Sequence, residues 1–110
     1  MLHTSEAGKL WILLEIRITT LLHRLDPMGT GCAHNEGMED EYAHQASDIL
    51  ERLAQGEEPH QATVAVFDYW FWEGCLDSAP RQHSLNEIVR ALQSTCALIG
   101  KSRKTSPFVW

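Results

Sequence analysis

Tyr42, Ala46, Ile49, Leu50 and Leu53 fall at i, i+4, i+7, i+8 and i+11, the spacing that lays apolar side chains along one face of an α-helix. No alternating run of strand character competes with it elsewhere in the chain. The fold must therefore be assembled from helices that bury their apolar stripes against one another. This helix is expected over about 39–55, with Glu39, Asp40 and Glu41 in its first turn and Gly56 as its stop. Acids at the start complement the macrodipole, and a glycine accepts the left-handed geometry that closes a helix.

Three more helices follow from the same reasoning. Over about 5–25, Leu10, Leu14, Ile18, Leu21 and Leu25 share a face while Ile12, Leu13 and Ile16 point elsewhere. A helix apolar on most sides is either central to a bundle or part of an oligomer interface. Asp26-Pro27-Met28-Gly29 ends it, because proline disfavours helical geometry in the preceding residue and these positions suit a type I turn. A third helix is expected from Pro59 to about Gly74, with proline at its first position. A fourth is expected from a capping box, Ser84-Leu-Asn-Glu87, to Gly100, its stripe being Leu85, Ile88, Val89, Leu92, Cys96 and Ile99. The expected architecture is all-α: a four-helix antiparallel bundle forming one domain over 1–100, followed by a basic and aromatic tail over 101–110. Between helices 1 and 2 the thirteen residues from Asp26 to Met38 carry three glycines and no periodicity. A loop of that length is either functional or simply mobile.

Charge narrows the partners. The chain has 110 residues and a formal charge of −6, but between Glu36 and Asp77 eleven acids face one base, Arg52, which leaves −10 on the middle. Such a surface repels phosphate backbones and attracts basic proteins, unless it serves solubility alone, so no nucleic acid is expected as a partner. No membrane is expected either, because Glu15, Arg17, His23 and Arg24 interrupt the apolar run from Leu10 to Leu25. Cys32, Cys75 and Cys96 are odd in number, widely spaced and without a CxxC pair. With no signal-peptide pattern at the start, a reduced cytoplasmic setting is expected.

Five aromatics occupy the six positions from Phe67 to Trp72. At ~100° per residue, Phe67, Trp70 and Phe71 fall with Val64 on the core face, and Tyr69 and Trp72 fall roughly opposite, flanked by Asp68 and Glu73. Either the first helix or the C-terminal Pro107-Phe-Val-Trp110 covers those two rings, or they form a binding patch ringed by charge.

Catalytic and cofactor chemistry find little footing. Glu41-x-x-His44 and Glu57-x-x-His60 have the spacing of di-iron bundles, but Pro59 interrupts the second pair and Glu41 and His44 point off the core face. Cys32-Ala-His34 would supply two zinc ligands and need two more, for example His44 or His83. No motif sets a cysteine beside a histidine for nucleophilic attack, and no glycine-rich phosphate loop is present. The chain is read as a non-enzyme without metal or cofactor.

Asp26-Pro27-Met28-Gly29, then Glu39-Asp40-Glu41-Tyr42, then Ala46, Ile49, Leu53 and Gly56 resemble a bacterial family of small helical proteins marked by Asp-Pro-x-Gly followed by Asp-Glu-Tyr. The resemblance covers about residues 20–56, a third of the chain, and leaves out both the aromatic helix and the basic tail. Small helical proteins related to that family occur as immunity proteins beside secreted or contact-delivered toxins. The resemblance implies an immunity or antitoxin-like protein that occludes a toxin, a basic nuclease domain being the kind that suits the charge. The expected contact residues are Glu41, Asp48 and Glu51 on the outer face of the second helix, with Asp68, Tyr69, Trp72 and Glu73. Two other readings stay open: a homodimeric structural or regulatory protein joined through the first helix and the aromatics, and a metal-dependent bundle enzyme. The motif itself is either architecture or the edge of a recognition surface.

Overall fold

The computed structural model describes residues 6–30 and 41–105, with side chains placed for 8–30 and 41–100. The described residues form four helices and no strand: α1 (Glu6–Leu25), α2 (Ala43–Ala54), α3 (Pro59–Trp70) and α4 (Ala79–Thr105). Consecutive helices pack together, α4 also lies against α1, and α2 touches α4 across the bundle.

The core is built from the apolar stripes. Leu14, Ile18 and Leu22 from α1 meet Ala46, Ile49, Leu50 and Leu53 from α2, Val66 and Phe67 from α3, and Leu85, Ile88 and Leu92 from α4. On α1 the spacing argument holds, since Ile12, Leu13 and Ile16 are each more than half exposed. Leu22, fully buried, belongs to the core face as well.

Each junction shows what sets it. At the end of α2, Glu57 N donates to Arg52 O and Gly56 N to Leu53 O, both at 3.0 Å. Gly56 takes a φ of +95°, so the orphan carbonyls of the last turn are satisfied by a Schellman closure that needs this glycine. The Arg52 guanidinium spans the same turn to Glu57 at 2.9 Å. Pro59 opens α3 as expected, after Glu58 in an extended conformation.

Four boundaries differ from the sequence expectation. The second helix starts at Ala43, with Tyr42 capping it and no acid in its first turn. Glu41 therefore lies in the turn ahead of the helix, and Glu39 and Asp40 lie outside the described residues. Helix α3 ends at Trp70, not near Gly74, because Phe71 leaves helical geometry at φ −116°, ψ −87°. Helix α4 starts at Ala79, so Ser84 and Glu87 sit within it and form no capping box. Pro80 occupies its first turn, where a missing N–H costs nothing. Gly100 does not close α4, which continues to Thr105. Of the loop expected over 26–38, residues 31–38 lie outside the described residues.

Its first residues belong to a hydrogen-bonded junction. Asp26 takes the left-handed conformation, φ 44°, and its N–H donates to Leu22 O at 2.7 Å to finish α1. Gly29 N donates to Asp26 O at 3.0 Å, closing the turn. The Tyr42 hydroxyl then reaches back from α2 to donate to Asp26 Oδ1 at 2.7 Å, and it accepts the Met28 N–H at 3.1 Å. Thr30 donates to the same carboxylate oxygen from its N–H at 2.9 Å and from its hydroxyl at 2.8 Å. The two halves of the Asp-Pro-x-Gly and Asp-Glu-Tyr pattern are one latch. Burial, first, and the adjoining Asp26 carboxylate push the Tyr42 phenol well above its ordinary pKa.

Candidate protein-docking surface

Helices α2 and α3 leave a cleft of about 430 Å³ between them, lined by Asp48, Glu51, Arg52, Gln55, Val66 and Tyr69. Three of the seven expected contact residues, Asp48, Glu51 and Tyr69, are thus brought together. Tyr69 is the most exposed of the described large hydrophobic side chains, at 80%. It stands edge-on to Trp70, with ring centroids 5.8 Å apart and planes at 89°, the geometry in which a positive ring edge meets a negative face.

Trp70 overturns one expectation. By helical angle it belongs to the core face, yet it is 40% exposed. It is the last residue of α3, where a large indole can lie over the neighbouring helix. There its Nε1 donates to Asp48 Oδ2 at 2.7 Å, and its ring stacks on His44 at 5.6 Å with planes 20° apart. The bond gives the indole N–H the acceptor it needs. His44, Trp70 and Tyr69 therefore form a continuous aromatic strip beside the cleft, held by Asp48.

The other expected residues are spread out. Trp72 is 55% exposed, but it follows the end of α3 and lies under the Arg81 guanidinium, 5.7 Å from the ring centroid. Arg81 in turn donates to Cys75 O at 3.1 Å and to Met28 O at 3.5 Å. Asp68 has internal work, since its Oδ1 accepts the Gly74 N–H at 3.1 Å and so shapes the turn in which Gly74 takes φ +77°. Glu41, Glu51 and Glu73 are exposed. Pro107-Phe-Val-Trp110, the alternative cover for the rings, lies outside the described residues.

Arg52, Gln55 and Val66, which complete the cleft, were not singled out in the sequence. Nothing in residue type distinguishes them; they line it because α2 and α3 diverge there. Among the described residues no group of three His, Cys, Asp or Glu side chains could hold a metal ion, and no helix is long and apolar enough to cross a membrane. Cys32 and His34 lie outside the described residues. The Cys75 thiol is buried and donates to Phe67 O at 3.5 Å; burial pushes its pKa up, which opposes the reactive thiolate. No family model, no curated protein and no solved structure matches the chain.

Proposed function

We propose that the chain is an immunity or antitoxin-like protein of the bacterial cytoplasm, an antiparallel helical bundle that neutralises a toxin by occluding it through the α2–α3 face. The observation that carries this reading is Tyr69, 80% exposed at the edge of a cleft whose rim bears carboxylates. An exposed aromatic with few rotamers is the kind of group that anchors protein interfaces, and surrounding acids steer a basic partner such as a nuclease domain toward it. Glu51, with Glu41 and Glu73, would supply that field. Asp48 would act through Trp70, whose indole it holds, and Asp68 would act through the turn after α3. The resemblance over residues 20–56 supports the class of protein, and the −10 of the middle segment supports a basic partner.

A tagged pull-down from the bacterium that encodes the chain, washed at low and high salt, tests it. A stoichiometric basic toxin domain, retained by the wild type and lost by Tyr69→Ala, is the expected result. Equal retention by Tyr69→Ala would overturn the role of the cleft.

One observation favours a second reading, a homodimer. Ile12, Leu13 and Ile16 present apolar side chains to solvent on α1, as a helical dimer seam would. Light scattering on the wild type and on Ile16→Glu separates the two: a dimer abolished by the glutamate, with no toxin captured, selects the homodimer.

A further inference from the structure

On the side of α1 that meets α4 lies a second cleft, of about 370 Å³, with the opposite character. Its described lining contains no acid, although the chain as a whole carries −6. Arg17 and Arg24, both exposed, stand on its rim two helical turns apart, with Thr20 between them. Its floor is apolar, formed by Ile18, Leu21 and Ala91. Thr95 completes the floor from α4. This residue is 2% exposed and lines the cleft.

We infer that this cleft binds a small anionic amphiphile, a medium-chain carboxylate, with its head group between Arg17 and Arg24 and its apolar body over Ile18, Leu21 and Ala91. Guanidinium groups match a carboxylate through paired N–H donors. The cleft is of the size that small-ligand sites occupy, and an apolar lining with a few converging polar groups is their usual composition. The inference is independent of the toxin reading, since none of the residues it uses lies on α2 or α3.

Isothermal titration calorimetry of the full chain with decanoate, decanol and acetate, each below the concentration at which it aggregates, tests the inference. Decanoate is expected to bind once per chain, with decanol and acetate each at least ~10-fold weaker, the factor that one hydrogen bond to a charged group supplies. Arg17→Gln and Arg24→Gln should each remove most of the decanoate preference and leave the helical circular dichroism unchanged, because both side chains are exposed. Arg90→Gln, which removes the same charge from the outer side of α4, should leave the affinity as it was. Decanol binding as tightly as decanoate would overturn the inference. So would acetate matching decanoate, indifference to both cleft arginines, or no decanoate binding at all.

Discussion

Tyr42 and Tyr69 are the chain's two tyrosines, and the bundle uses them in opposite ways. Tyr42 is fully buried, with its hydroxyl donating to Asp26 and accepting from Met28. Tyr69 turns most of its ring to solvent. A buried phenol whose donor and acceptor are both engaged holds structure together and has nothing left to offer a partner. An exposed one keeps its ring face and hydroxyl for whatever arrives. The difference also locates what the resemblance can speak for. Its residues, Asp26 and Tyr42 foremost, fasten the end of α1 to the start of α2, whereas the candidate docking face takes its exposed aromatic anchors, Tyr69 and Trp70, from beyond the resembling segment. The latch bears on how the helices join and leaves the partner open.

The sharpest way to break the comparison is to remove each tyrosine. Tyr42→Ala should cost about 3–5 kcal/mol in urea denaturation, the range for emptying a buried aromatic site. Tyr42→Phe keeps the ring and removes the hydroxyl, leaving the Met28 N–H without that acceptor, and should cost about 1–3 kcal/mol. Asp26→Ala combined with Tyr42→Phe should cost less than the sum of the two single changes, since they share one bond. Strict additivity would mean that the latch is a coincidence of packing.

A smaller effect sharpens the same point through pH. Tyr42 ionises in the unfolded chain near the ordinary value of 10.0, and in the folded protein only at higher pH. A group whose folded value is raised contributes stability that is complete below the unfolded value and is lost as pH rises above it. The wild type should therefore lose stability between about pH 9 and pH 11 more steeply than Tyr42→Phe, in which that group is absent. Parallel slopes would show that the phenol titrates alike in both states.

What could be read in the sequence follows the range of the forces involved. The helices declare themselves because apolar spacing is a property of each segment alone, and the outward direction of Ile12, Leu13, Ile16 and Tyr69 follows from the same angles; Trp72 is exposed too, but beyond the end of α3. Boundaries set by local competition were harder. Ser84-Leu-Asn-Glu87 has the composition of a helix start, but Ala79-Pro80 begins the helix earlier. Glu41 lies in the turn ahead of α2 because Tyr42, turned inward to Asp26, takes the capping position. The clefts were beyond reach, since they depend on how two helices diverge. Trp70 fell between: its angle points inward, but its place at the end of α3 lets the indole settle over Asp48 and His44.

The smallest effect is the most discriminating. Tyr69→Ala should change the stability of the isolated protein by no more than ~0.5 kcal/mol, as expected for a surface substitution away from caps and cores. A larger loss, accompanied by weakened partner capture, would mean that Tyr69 supports the fold and that its effect on binding is indirect. A neutral change with capture abolished is the signature of a contact residue. Trp72→Ala sets the scale for what an exposed aromatic can cost here, because Trp72 has the Arg81 guanidinium over its ring and should lose about 0.5–1 kcal/mol, the worth of a cation–π contact at an exposed site. If Tyr69→Ala costs less than Trp72→Ala and yet removes the partner, then the ring that contributes least to the bundle is the one exposed for use outside it.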